Sequence, residues 1–259
     1  MDNKYTDNDI KIEGSNNQKL ENFWYYHKWH IITIAFVAIV IAVCVYSCFA
    51  KPKTDITILY AGPHSSADSS VPYIKESLSA IMPESVGNNG VELLILSKYT
   101  QEQAEQLAKK SVAEYIEEEK KQGRYYTNEE RENLIQRQID QYNSITRSNQ
   151  NSLSSYMGIG KYSLCLLDPS IYEEYSGKGM FVLLSDIFGE ENIPQSAYKD
   201  DAIRLGDTAL YKNSASGIGK LPSDTLICLR VEPIMGGCAG SSNSADYQKA
   251  MEMFIAMTK

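Results

Sequence analysis

Residues 31–50, IITIAFVAIVIAVCVYSCFA, contain no Asp, Glu, Lys, Arg, Asn, Gln, Gly or Pro. A helix rises about 1.5 Å per residue, so a stretch of this length reaches about 30 Å, the hydrocarbon thickness of a bilayer. Inside lipid every backbone N–H and C=O must find a partner within the segment, which a helix provides. The flanks agree. Phe23, Trp24, Tyr25, Tyr26 and Trp29, with His27 and His30, form an aromatic collar before the segment, and Lys51 and Lys53 follow it. Amphipathic rings and lysines of this kind settle at a membrane–water interface. Core helices of soluble proteins are seldom this long and this uniformly apolar, so the segment reads as one transmembrane helix.

This divides the chain into a flexible cytoplasmic tail (1–22), the collar and transmembrane helix (23–50), and an extracellular domain (54–259). Lys11, Lys19 and Lys28 before the helix nearly balance Lys51 and Lys53 after it, so lysine bias alone does not orient the span. A first apolar segment commonly acts as an uncleaved signal-anchor, which puts the N-terminus inside and the C-terminal domain outside the cell membrane. A cleaved signal fits less well, because the polar stretch ahead is long and no small-x-small site closes the segment. An alternative is a lipoprotein: Val45-Tyr46-Ser47-Cys48 loosely resembles a bacterial lipobox, with Cys48 as the anchored residue.

Charge excludes one class of partner. The chain carries −8 overall, and from Thr54 onward 19 basic against 28 acidic side chains give −9. Nucleic acid needs a basic footprint, so it is not expected as a partner. Five cysteines occur, none in a CxxC and none with histidine at zinc-ligand spacing. Cys165, Cys228 and Cys238 lie beyond the anchor. Cys228–Cys238 would close a short loop if oxidised, but free buried thiols are the expected state.

The domain reads as strand–helix–strand at its start. DITILYAGP (55–63) is β-branched and apolar and ends in Gly62-Pro63, the mark of a buried strand. Apolar positions 71, 74, 78, 81 and 82 have a helical period, Asn88-Asn89-Gly90 is a turn, and VELLILS (91–97) is a second strand. Parallel pairing through a crossover follows. Thr100 and Gln103 have capping-box spacing and open a helix striped by Ala104, Leu107, Ala108, Val112, Tyr115 and Ile116. Thr127 or Asn128 with Glu130 opens another, striped by Leu134, Ile135, Ile139, Tyr142 and Ile145. The pair (100–147) reads as an inserted helical hairpin, and residues 148–160 as loop or frayed helix end. KYSLCLLDP (161–169) is a third strand and 170–175 a short helix. Residues 186–201 are mostly turn, 203–211 and 225–231 further strands, 232–244 a Gly-rich segment and 246–257 a last helix. The sum is an α/β domain on a mixed sheet.

The strands DITILYAGP and VELLILS and the run KYSLCLLDPSIYEEYSGKGMFVLLSDIFG together resemble one lobe of an extracellular solute-binding protein, including an L-x-D-x-x-G segment at Leu184, Asp186 and Gly189. That resemblance implies a truncated periplasmic-binding-protein lobe. Fewer than 40 residues separate Gly189 from TLICLRV, so the second lobe is absent or reduced to a hairpin. Tail, collar, anchor and external domain in this order also resemble uncharacterised single-pass membrane proteins of Gram-positive anaerobes.

Catalytic motifs are not found. His64 is the sole histidine after residue 30 and follows a strand, where parallel α/β folds place ligand loops. GIGK occurs at 158–161 and 217–220, but Tyr162 and Leu221 follow where a phosphate loop needs Ser or Thr. Glu190-Glu191, Asp200-Asp201, Asp186 and Asp207 lack the D-x-D-x-D-G order of a calcium loop. The segment EPIMGGCAGSS could approach a ligand with its backbone at Gly236 and Gly237. The expectation is therefore a membrane-anchored binding domain without catalytic activity, cofactor or metal, for a small solute or a protein of the envelope. Its candidate ligand residues are His64, Ser65, Ser66, Asp168, Gly236 and Gly237, on the loops 62–70, 168–179 and 232–244. The membrane-interface set is Trp24, Tyr25, Tyr26, Trp29, Lys51 and Lys53. The alternative is an accessory subunit of a membrane complex that docks through the helices at 100–147.

Overall fold

The computed structural model describes residues 16–49, 54–65, 67–159, 162–212, 217–232 and 244–258. Two compact units are present, one up to Pro52 and one from Lys53. Among the described residues the first unit is a single helix, α1 (Asn16–Phe49). Its stretch His27–Cys44 is long and apolar enough to cross a membrane, and none of it is buried against protein. Length and composition of this kind serve a membrane span or a signal sequence alike. Trp24, Tyr25 and Trp29 are exposed on the same helix, with the Lys28 ammonium 5.4 Å from the Tyr25 ring centre. The side chain of Tyr26 and residues Lys51 and Lys53 lie outside the described set. One expectation is corrected: residues 16–22, read as tail, are helical. Gln18, Lys19, Leu20 and Glu21 are good helix formers, and extending an existing helix adds one hydrogen bond for each residue fixed.

The second unit is a mixed α/β domain on six strands. In chain order it comprises β1 (Ile56–Gly62), α2 (Val71–Ala80), β2 (Val91–Ser97), α3 (Gln101–Lys121), α4 (Asn128–Ile159) and β3 (Leu164–Leu167). There follow α5 (Pro169–Tyr175), α6 (Leu184–Phe188), β4 (Ala197–Lys199), β5 (Ala202–Arg204), α7 (Ala209–Lys212), β6 (Leu226–Leu229) and α8 (Ser244–Thr258). The sheet order is β2-β1-β3-β6-β5-β4. β1 pairs parallel with both β2 and β3, whereas β6, β5 and β4 run antiparallel to their neighbours.

Successive side chains of a strand point to opposite faces, and both faces of β1 are covered. On one side Ile56, Ile58 and Tyr60 pack with Ile74 and Leu78 of α2 and Met253 and Phe254 of α8. On the other, Leu59 and Ala61 pack with Leu153 and Met157 of α4 and Ile171 and Tyr172 of α5. Double coverage explains why β1 reads as an unbroken apolar run. Each fully buried Ile or Leu of this kind contributes about 1.5–3 kcal/mol relative to exposure.

Local chemistry sets the helix ends. At α3 the capping box is complete: Thr100 Oγ1 accepts from the Gln103 N–H and Gln103 Oε1 from the Thr100 N–H. The same reciprocal pair at Thr127 and Glu130 opens α4. Gly123, at φ +83°, supplies the left-handed turn that lets the chain leave α3.

Three further expectations change. α4 continues to Ile159, through the stretch read as loop, because Leu153 and Met157 stand one turn apart and bury against the sheet. The helical pair is accordingly 101–159, not 100–147. Residues 203–211 are not one strand: β5 ends at Arg204, a 3-10 turn covers Leu205–Asp207, and α7 follows. The region 186–201, read as mostly turn, contains the end of α6, a 3-10 turn and β4. β4 and β5 form a hairpin on the edge of the same sheet.

Candidate functional site

β1 and β3 are parallel neighbours whose chains leave in opposite directions. After β1 the chain crosses to α2 on one face, and after β3 to α5 on the other. Adjacent parallel strands with diverging exits open a crevice beyond their C-terminal ends. In this domain a cleft of about 380 Å³ stands there, lined by Pro63, His64, Gln103, Gln106, Leu107, Lys110, Lys220 and Pro222.

Three segments build it. Pro63 and His64 come directly from the end of β1. Gln103, Gln106, Leu107 and Lys110 are spaced i, i+3, i+4, i+7 and so share one face of α3. Lys220 and Pro222 come from the 3-10 turn Gly217–Lys220 and the residues that lead into β6. Because β6 is antiparallel to β3, with Leu167 opposite Leu226, the entry to β6 stands at the edge where β3 ends.

The floor is held by backbone and side-chain hydrogen bonds. Gly62 O accepts from Lys98 N at 2.8 Å, Ala61 O from Asp168 N at 2.8 Å and His64 O from Ser97 Oγ at 3.0 Å. The His64 N–H donates to Tyr60 Oη at 3.3 Å, and a Cβ on Gly62 would lie 2.6 Å from that oxygen. A side chain at position 62 would require the buried Tyr60 ring to shift. Burial pushes the Tyr60 hydroxyl far above its ordinary value.

His64 is half-buried, with Nε2 3.3 Å from Ser70 Oγ. Burial holds its imidazole below the usual value, opposed in part by the Asp68 carboxylate. Asp68 itself is held low, first by the Ser70 hydroxyl and N–H, with smaller contributions from His64 and Lys220. Asp68 accepts the Ser70 N–H at 2.7 Å, so its carboxylate shapes the loop that begins α2.

Of the residues expected from sequence, His64 lines the cleft and Ser65 is beside it, its hydroxyl accepting from the Ala67 N–H. Ser66 lies outside the described residues. Asp168 is 4 % exposed and stands behind the cleft. Its Oδ1 accepts from the Ser170 N–H at 2.9 Å, and its Oδ2 from Gln103 Nε2 at 2.8 Å, so it caps α5 and anchors the α3 wall. Gly236 and Gly237 lie outside the described residues. The strand that precedes them leaves at the other edge, where Arg230 N donates to Ser163 O at the start of β3.

Sequence reading missed Gln103, Gln106, Lys110 and Lys220 as lining groups. The i, i+3, i+4, i+7 spacing on α3 was the available signal, and the second GIGK held Lys220. The glycines that open the two GIGK copies differ in kind: Gly158 belongs to α4, with open space where a Cβ would stand, whereas Gly217 packs on Tyr73 of α2. Among the described residues, no three His, Cys, Asp or Glu side chains converge as a metal site would require. Cys165 and Cys228 face each other in the register of β3 and β6 as free buried thiols; Cys238 lies outside the described residues.

Fold and cleft together define a mixed α/β domain with one crevice at the divergence of two parallel strands. No known protein family, no curated protein and no solved structure matches the chain.

Proposed function

We propose that the chain is a single-pass membrane protein whose globular unit, held outside the cell by α1, binds a small solute without transforming it. The observation that carries this reading is the cleft above β1 and β3. Its walls come from three separate connections, and its floor is fixed by hydrogen bonds before any ligand arrives. A concave site of about 300–1,000 Å³ with a few placed polar groups is the usual form of a small-molecule site, and preformed walls lower the entropy lost on binding. The likeness to one lobe of a solute-binding protein supports the same reading: a lobe without its partner still keeps the strand-end crevice. The Ser70–His64 contact serves here to fix a loop.

Thermal unfolding of the full-length protein in detergent micelles, across a library of metabolites and short peptides, tests this. A ligand that binds only the folded state raises the midpoint by mass action. Labelling of introduced cysteines on intact cells tests the orientation.

A second reading has its own observation. The outer half of the α3–α4 hairpin exposes Tyr115 and Tyr125 and lines a groove of about 260 Å³ with Val112, Leu134 and Arg137. Exposed aromatic groups on a polar hairpin suit docking to a membrane complex. Failure of every library compound, together with one constant partner recovered from membranes, supports this accessory role.

A further inference from the structure

The charge of the cleft opposes that of the domain around it. Across residues 54–259, with net charge −9, the lining holds two lysines, a histidine and two glutamine amides, and no carboxylate. Neither Lys110 nor Lys220 belongs to any of the four ion pairs among the described residues. Lys98, near the same edge, is by contrast paired with Glu174. The carboxylates bonded to the lining or beside it are engaged: Glu102 accepts from Gln106 Nε2 at 3.1 Å. Asp168 is held by Gln103 and Ser170, and Asp68 by Ser70, with Lys220 only a minor influence on it.

The polar groups come from opposite walls. Lys110 and the two glutamines stand on α3, Lys220 on the turn before β6, and Pro63, Leu107 and Pro222 supply apolar surface beside them. Two ammonium groups can meet two anionic oxygens or two separate anionic heads, and each glutamine amide keeps one N–H beyond the one it gives to Asp168 or Glu102. Prolines and a leucine accept a short carbon body. From this arrangement we propose that the cleft binds a small organic anion, with a carboxylate or phosphate head placed between Lys110 and Lys220. This rests on the solute-binding reading above and adds the ligand's charge to it.

The test uses the full-length protein in neutral detergent at fixed ionic strength, with thermal unfolding as the readout. Probes are succinate, glutarate, glycerol phosphate and inorganic phosphate, against succinamide and glycerol as neutral counterparts and putrescine as a cation. The expected result is a concentration-dependent rise in midpoint with at least one anion and none with the neutral or cationic probes. Carboxylate against phosphate probes identifies the head group. In the double variant Lys110→Gln, Lys220→Gln the apparent Kd rises at least tenfold, about 1.4 kcal/mol, while the ligand-free midpoint stays close to that of the parent. Equal stabilisation of parent and variant by an anion would mean a general ion effect and overturn the proposal. Stabilisation by a neutral or cationic compound, undiminished in the double variant, overturns the anion assignment and leaves solute binding standing. Absence of stabilisation by these probes and by the wider library overturns both.

Discussion

Gln103 Nε2 donates to Asp168 Oδ2 at 2.8 Å, and the same amide accepts the Thr100 N–H through Oε1 at 2.9 Å. One side chain thus completes the cap of α3 and ties it to the residue that caps α5. The relationship joins the exits of β2 and β3 and holds the α3 wall of the cleft in place. Substituting Gln103→Glu keeps the capping acceptor but turns the donor that faces buried Asp168 into a second acceptor. The expected loss is about 1–3 kcal/mol, the cost of leaving a buried acceptor unsatisfied. Urea unfolding of parent and variant measures it, and an unchanged midpoint would show that the tie is dispensable.

His64 gives the domain a defined response to acid. Burial lowers its imidazole pKa beneath the ordinary 6.5, so between that value and the folded pKa the unfolded chain binds a proton that the folded chain does not. Stability therefore falls as pH drops through this window and levels off below the folded pKa. The parent is compared with His64→Gln, so that only the contribution of this side chain is read. The stability of the parent relative to the variant should decline from pH 7.5 to pH 5. A relative gain on acidification would contradict the burial of the ring.

Cys165 and Cys228 are expected to be chemically silent while the domain is folded. Burial pushes the Cys165 thiol up to about 12 and Cys228 well above its usual value, and only the thiolate reacts at an appreciable rate. Iodoacetamide at pH 8 should leave both peptides unlabelled in native buffer and label both in denaturing urea, as read by mass spectrometry. Rapid native labelling of either would mean that β3 and β6 open readily.

The final turns of α4 carry more of the fold than their polar sequence suggests. Leu153 is 1 % exposed and Met157 fully buried against the sheet. Leu153→Ala should cost about 2–5 kcal/mol, the range for a large-to-small change in a packed core. A change under about 0.5 kcal/mol, the size expected of an exposed site, would return residues 148–159 to the status of a frayed end.

That stretch also shows where sequence reasoning stops. β1, β2, the capping box at Thr100 and Gln103, and the start of a second helix at Thr127 or Asn128 were legible because their signals are local: strands packed on both faces read as apolar runs, and Thr-x-x-Gln and Thr-x-x-Glu close their own hydrogen bonds. In 148–159 only Leu153 and Met157 mark the buried face among Asn, Ser and Gln, so the helix rests on packing with distant residues. The run 203–211 looked like a strand, but a Cβ on Gly206 would lie 2.5 Å from Ser223 O, and the chain turns there. Strand direction left no local mark either. That β6 runs against β3 puts the end of β6 at the edge away from the cleft and brings Lys220 and Pro222, which precede it, to the cleft edge. His64 was found by its place after β1, whereas its partners on the other walls depend on tertiary structure.

The two GIGK copies offer a last, paired test, because identical residues stand in unlike surroundings. A Cβ on Gly217 would lie 2.3 Å from the backbone of Tyr73, and the Gly217 N–H donates to Ser77 Oγ at 2.5 Å. The turn carrying Lys220 is thereby seated on α2 through a glycine. Gly217→Ala forces a methyl group against the Tyr73 backbone, which a packed site tolerates only by shifting at a cost of about 1–3 kcal/mol. The shift displaces Lys220 and Pro222, so any ligand of the cleft should bind more weakly to this variant. Gly158 lies near the end of α4 with nothing within 4 Å of an added Cβ. Gly158→Ala should change stability by less than about 1 kcal/mol and in the favourable direction, since alanine favours the helix, and leave ligand affinity unaltered. Equal effects of the two substitutions on midpoint and affinity would refute the close seating of Gly217 on α2.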